Sequence, residues 1–342
     1  MGKLLKAALI GLGVTAGASS AAADGQLHIY NFGNYTSPEM VSKFEKTYNV
    51  KVSVDSYDSN DQMLAKVKAG GSGYDIVVPS SYIVPAMIQD GLLAKVEPNQ
   101  MPNFKNMRPE FVNVYWDEGR HYSVPWLWGT TGVTVNTDAY KGDVDTWGIV
   151  FDTPAELKGK VNALPEMTDV ITAASFYLDQ KTCSADKADL KKINDLLMKA
   201  KKDWRAMEYS TIENLTAKNF LASMDYNGSA LKAKRQLAAL KYGYPKEGMA
   251  SWMDNMVILK DSKNIENAKL FLNFIMDPEN AALMSAFSGY DNAIQGSQKF
   301  FPKDMVNAPE LTPPQGFNYN FVPACPQKVA EIYAKIWNNL MK

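Results

Sequence analysis

The apolar positions change their period along the chain, and each change marks an element. Residues 26–30 read as a first strand, and 51–54 as a second, alternating and β-branched. Between them Ser37-Pro38-Glu39 starts a helix, with a capping serine and proline at the first helical position. Met40, Val41 and Phe44 form its inward face. Residues 58–61 cap another helix, whose apolar face is Met63, Leu64 and Val67. The turn 70–73 leads into Ile76-Val77-Val78, an unbroken apolar run ended by Pro79. Such a run predicts a strand covered on both faces, as in a parallel sheet with helices on either side. The order so far is β-α-β-α-β.

Further along, the pattern predicts short strands at 92–96 and 131–136, and a crossover to a second half after the latter. A linker with a short helix covers 146–157, and 159–164 is a new strand whose exit loop is 165–169. Helices follow over 170–178 and 186–200, then a strand at 221–226 and a helix at 229–240. Residues 251–259 are a long return strand. Helices over 265–276, 279–287 and 329–340 close the chain. The fold class is α/β with two lobes, each a mainly parallel sheet flanked by helices. Residues 24–134 plus 254–300 make lobe 1, and 135–253 plus 301–342 make lobe 2. In such sheets ligands sit beyond the carboxyl ends of strands, and clefts between lobes hold small molecules.

The chain has 342 residues, enough for two domains, with 46% apolar and 21% charged positions. Its net charge of -1 gives no field favouring nucleic acid or an anionic membrane surface. Residues 1–23 read as a secretory signal peptide: Lys3 and Lys6, a short apolar stretch at 7–17, then Ala21-Ala22-Ala23 before a cut at Asp24. With no cysteine at the cut, a lipid anchor there is not expected. No later stretch is long and apolar enough to span a bilayer. The mature protein is expected to be soluble and exported. Cys183 and Cys325 then favour one disulfide over two unpaired buried thiols.

Nothing in the pattern points to catalysis, a cofactor or a metal. There is no GxSxG, P-loop or GxGxxG, and His28 and His121 stand far apart without a cysteine pair. What gathers at strand exits is aromatic rings and acids: Phe32 and Tyr35, Ser80 and Tyr82, Trp126 and Trp128, Glu166 and Asp169, Tyr226, Trp252 and Asp254, and Tyr290. Each alone reads equally as core, cap or surface. Together they suit a flexible molecule bearing amines, since aromatic faces attract alkylammonium groups and a desolvated ammonium needs a carboxylate.

These residues lie in stretches that resemble the polyamine-binding receptors of bacterial ABC importers, the periplasmic spermidine- and putrescine-binding proteins. The matching stretches are residues 29–35, 74–82, 128–132, 245–248, 252–254 and 271–274 with Asp277-Pro278. The resemblance covers nearly all the mature chain. It implies a type II two-lobe binding protein in the periplasm, a monomer that serves a membrane permease. It implies that Phe32 stands where a tryptophan usually walls the ligand, and that Tyr35, Ser80 and Tyr82 are contacts from lobe 1. Glu166 and Asp169 match an acidic pair, in exchanged order, that holds one amine. Tyr226, Trp252 and Tyr290 match wall residues, and Asp254 a carboxylate for another amine. Asn34 departs from the pattern, replacing an acid that anchors a terminal ammonium, and Pro323 or its neighbours replace a late polar contact. Asp225 is a candidate replacement charge. Arg205, if turned inward, would suit a ligand with a carboxylate.

Three readings follow. The first is a receptor for spermidine or putrescine, closing by a hinge. The second is the same receptor binding an ω-amino acid such as 4-aminobutyrate. The third is a secreted enzyme on the same scaffold.

Overall fold

A computed structural model describes residues 25–317 and 320–342. The expected signal peptide, residues 1–23, lies outside them. The first half opens with β1 (Gly25–Phe32), α1 (Pro38–Tyr48), β2 (Val50–Tyr57), α2 (Asn60–Lys68), β3 (Ile76–Val77) and α3 (Val84–Gln89). A small hairpin, β4 (Asn113–Val114) and β5 (Asp117–Glu118), precedes the long β6 (Ser123–Asn136). The second half holds α4 (Gly148–Phe151), β7 (Val161–Ala163), α5 (Met167–Tyr177), α6 (Lys187–Ala200) and β8 (Trp204–Met207). It continues with α7 (Thr211–Thr216), β9 (Ala222–Tyr226), α8 (Asn227–Gln236) and β10 (Leu240–Gly243). The chain returns through β11 (Ala250–Ile258) to α9 (Ile265–Ile275) and α10 (Pro278–Ser288), and ends in β12 (Asn320–Phe321) and α11 (Gln327–Leu340). Ser37 caps α1 as expected, its side chain accepting from the Met40 amide at 3.3 Å.

The main sheet runs β2-β1-β3-β11-β6-β9-β7-β8. At one end β2, β1 and β3 are parallel, and at the other β9, β7 and β8 are parallel. Between them β11 and β6 run antiparallel to their neighbours. The sheet is therefore mixed. Two buried cores lie along it, one drawn from residues 27–128 and 253–294, the other from 133–249 and 329–340. Both long strands pass between them.

Every residue of β6 is buried, because its first part lies in one core and its second part in the other. It begins at Ser123, well before the predicted start at 131. Pro125 hides that start, since proline is rare inside sheets. It is accommodated here where the register against β11 shifts between Met253 and Asn255. The strand predicted at 92–96 reduces to a single bridge, Leu93 to Leu259. The helix predicted over 229–240 stops at Gln236, and Leu240–Gly243 pairs with β6 instead. Tertiary pairing overrides the helical preference of the alanines there.

Cys183 and Cys325 form a disulfide with Cα atoms 5.2 Å apart, joining the loop after α5 to the start of α11. Just before it, Phe321 packs on Trp116 and Phe111 of the first core, at 5.2 and 6.2 Å between ring centres. The segment expected wholly in lobe 2 thus touches both cores. Replacing both cysteines by serine is expected to lower the unfolding free energy by about 2–4 kcal/mol. Calorimetry checks it, and an unchanged midpoint would contradict it.

Candidate functional site

The first half supplies side chains from the ends of β1 and β3. Phe32 ends β1, and after the turn Tyr35 is buried. Asn34 sits at φ +54° in that turn, exposed to solvent. Asparagine tolerates this left-handed backbone better than most residues. Beyond β3, Ser80 forms a bridge to Asp254 of β11. Asp254 is only 6% exposed, and both its oxygens are held. Ser80 Oγ donates to Oδ1 at 2.6 Å, and Tyr35 OH donates to Oδ2 at 2.9 Å. Asn60, at the start of α2, ties this side together. Its Nδ2 donates to Ser80 Oγ and Tyr82 OH at 3.0 and 3.2 Å, and its Oδ1 accepts from the Ser80 amide at 3.0 Å.

The second half supplies an acidic pair from the start of α5. Glu166 is its N-cap and Asp169 lies in its first turn. The three-residue spacing puts both on one helix face, and the positive helix end favours their charge. Tyr226 OH donates to Asp169 Oδ2 at 2.9 Å, and Tyr209 OH donates to Glu166 Oε1.

A row of rings joins the two acidic ends. Phe32 meets Tyr35, Tyr35 meets Tyr290, Tyr290 meets Trp252, and Trp252 meets Tyr226, at 6.1, 5.9, 5.1 and 5.8 Å between centres. All four contacts are edge-on. Two glycines admit these rings. A Cβ at Gly228 would lie 2.4 Å from the Tyr290 ring, and one at Gly129 would lie 2.6 Å from the Trp252 ring. Trp252 Nε1 is buried and has no hydrogen-bond partner among the described residues.

Burial dominates the electrostatics. It pushes the Asp169 carboxyl up to about 7, with Glu166 and Asp254 adding to the rise and Tyr226 opposing it. It pushes Asp254 up to about 6 against the hydrogen bonds from Ser80 and Tyr35. Glu166 is raised as well, by burial and by Asp61, with Tyr209 opposing. Tyr82, from the first half, is raised by burial and then by Glu166 and Asp169 of the second. Acids and rings from both halves therefore share one region. Among the described residues, no ion pair involves Glu166, Asp169 or Asp254. Carboxylates withdrawn from water, Asp254 buried and Glu166 and Asp169 half-buried, without a counter-charge are poised to take up a cation, and rings beside them suit an alkylammonium chain.

Three expected positions go elsewhere. Trp128 is core: it is 2% exposed, its Nε1 donates to the Asn292 carbonyl at 3.2 Å, and its ring meets Phe111 and the Arg108 guanidinium. Asp225 is fully buried and accepts from Thr134 Oγ1, Thr211 Oγ1 and the Tyr226 amide, each at 2.9 Å. Its oxygens are occupied within its own half, so it is no replacement for the acid missing at Asn34. Arg205 is exposed on β8 beside the inward Trp204, the ordinary alternation of a strand. Two contributors were not foreseen, Asn60 and Tyr209. Tyr209 follows β8, and the strand-exit rule would have found it had β8 been recognised.

The family model for bacterial extracellular solute-binding proteins matches residues 39–313. The chain is 32% identical to a putrescine-binding periplasmic protein, SpuD, of Pseudomonas aeruginosa, over 96% of this chain and 95% of that one. It is 31% identical to the spermidine/putrescine-binding periplasmic protein of Salmonella typhimurium, over 91% and 89%. Among solved structures it is similar to the spermidine/putrescine ABC transporter substrate-binding protein PotD of Streptococcus pneumoniae. That match has a TM-score of 0.82 and 26% identity, and covers 93% of this chain and 99% of the other. With its mixed sheet and paired cores, the chain belongs to the bacterial extracellular solute-binding protein family.

Proposed function

We propose that this protein is the periplasmic receptor of an ABC importer and holds spermidine or putrescine between its two halves. The observation that carries this reading is a set of three acids, buried Asp254 with half-buried Asp169 and Glu166, joined by rings and, among the described residues, lacking a counter-charge. A linear amine supplies ammonium groups to the acids and methylenes to the rings. The names of the relatives agree with this cargo and with a periplasmic location. Among the described residues no helix is long and apolar enough to cross a membrane.

In this reading the two cores are the lobes, and they close as rigid bodies about β6 and β11. Residues 24–134 with 254–300 and residues 135–253 with 301–342 are the working boundaries. The receptor acts as a monomer, delivers its cargo to a membrane permease and makes or breaks no bond. Phe32, Tyr35, Ser80, Tyr82, Tyr226, Trp252 and Tyr290 line the cargo. Asn34, exposed and uncharged, lies at the rim.

Calorimetric titration with spermidine and putrescine, after unfolding and refolding to remove carried-over ligand, tests the reading. Binding with a dissociation constant in the nanomolar to micromolar range is expected for one of them. No heat with either would overturn it.

An ω-amino acid cargo needs a cation for its carboxylate. In the sequence Asn34 and Arg205 together suit such a cargo, but Arg205, the cation of the two, faces solvent. Arg205→Ala is therefore expected to leave polyamine affinity within about twofold, as for most exposed substitutions. A loss of tenfold or more would return Arg205 to the site. Polyamine at a hundredfold over its dissociation constant should add about 2.7 kcal/mol of stability. The same concentration of 4-aminobutyrate should add none.

A further inference from the structure

Tyr209 is a large ring left 52% exposed, yet its hydroxyl is committed to Glu166. It lies between β8 and α7, and its backbone is held on both sides. Asn162, fully buried on β7, donates from Nδ2 to the Glu208 carbonyl at 3.0 Å and accepts from the Glu208 amide at Oδ1 at 3.1 Å. The Thr211 amide donates to the Tyr209 carbonyl at 2.7 Å, while Thr211 Oγ1 is anchored on buried Asp225. An exposed tyrosine on so fixed a turn is aimed at something. Its aim is one carboxylate oxygen, Glu166 Oε1. The other oxygen has no hydrogen bond among the described residues.

We propose that Tyr209 is a positioning residue for the polyamine site: its hydroxyl orients the Glu166 carboxylate, leaving the second oxygen for the cargo's outer ammonium. This inference rests on the polyamine reading. Acids near Glu166 work against its charge. Asp169 lies beside it on α5, Asp61 faces it from α2, and the phenols of Tyr82 and Tyr226 share its field. Burial also favours its neutral form, and among side chains it is the Tyr209 hydroxyl that favours the charged one, alongside the N-terminus of α5. A hydrogen bond to an ionised acceptor is stronger than one to a neutral acceptor, so it holds the carboxylate both in place and charged.

The test is Tyr209→Phe, which keeps the ring and deletes the donor, titrated with spermidine and putrescine at pH 6 and pH 8.5. Without its donor Glu166 takes up a proton more readily, and that proton must leave when the ammonium arrives. The variant is expected to bind about tenfold more weakly than wild type at pH 6, the size of one hydrogen bond to a charged group. The gap should shrink to threefold or less at pH 8.5, because the carboxylate depends less on its donor to stay charged as the pH rises. In a Glu166→Gln background, Tyr209→Phe should cause no further change with pH. Equal affinity at both pH values would overturn the proposal. So would an equal loss at both, which would make the hydroxyl a direct contact of the cargo rather than the group that keeps Glu166 oriented and charged. Failure of the wild type to bind either polyamine would instead overturn the functional reading, before the variant is made.

Discussion

Asp254→Asn is expected to weaken polyamine binding by at least a hundredfold while leaving the ligand-free protein as stable as before, or more stable. Asp254 is the most buried of the three site acids, held by Tyr35 and Ser80 on a strand whose apolar residues belong to the first core. Asparagine matches its shape, so packing is conserved; the charge is lost, and one accepting oxygen becomes an NH2 that faces the hydroxyl of Ser80 or Tyr35. Removing one member of a buried charge pair is expected to reduce binding by about 2–5 kcal/mol, because the ammonium is left desolvated without a partner. The stability effect runs the other way. Burial holds this carboxyl at about 6, above its ordinary value, so its ionisation above that pH disfavours the folded, empty state. Removing the charge relieves on the order of 3 kcal/mol at pH 8. Calorimetric titration measures the first effect, and thermal unfolding without ligand measures the second. A variant that binds within tenfold of wild type would show that Asp254 does not grip the cargo. A variant that binds poorly and also unfolds earlier would point to a structural role instead.

Such a division between stability and binding explains which parts of this protein are legible in its sequence. The apolar run Ile76-Val77-Val78 gives the buried strand directly, because burial on both faces leaves no polar position. The glycine, serine and proline turns around it are equally clear. What sequence cannot display is the side of a strand on which a residue falls. Asp225 and Tyr226 are neighbours, yet one is enclosed with Thr134 and Thr211 while the other reaches Asp169 and Trp252. Trp126 and Trp128 share one parity of β6, and the core takes both. Arg205 and Trp204 differ by one residue and face opposite ways. Strand parity is decisive for Asp225 and Tyr226 and for Trp204 and Arg205, whereas β6 is buried on both faces; each outcome depends on pairing partners far away in the chain. Tyr209 was missed for a related reason. The short strand before it follows a lysine-rich turn, and its pattern of three apolar residues in four has no readable period.

The second large effect concerns protons, and its sign follows from the same acids. In the empty protein Asp169 titrates near 7 and Asp254 near 6, both raised first of all by burial. A bound ammonium stabilises the charged forms and pulls both values down, so binding at lower pH must expel protons. Affinity is therefore expected to rise with pH, by about a hundredfold between pH 5.5 and 7.5, and to level off above that as both acids become ionised. The stability of the empty protein should move oppositely. Groups whose folded value lies above the unfolded one favour folding fully at low pH, and that contribution is lost as pH climbs towards 7. The ligand-induced shift in melting temperature should consequently widen from pH 5.5 to 8. Asp225 and Asp291 are also raised, to about 7 and about 6, but each has its own partners away from the cargo. They titrate alike with and without ligand and drop out of the difference. Titration in buffers of differing ionisation heat counts the protons directly: about one released at pH 6.5, fewer than a tenth of that at pH 8.5, and a reduced count in Asp169→Asn. Affinity independent of pH over this range, with no proton released, would mean that the amines do not meet these carboxylates.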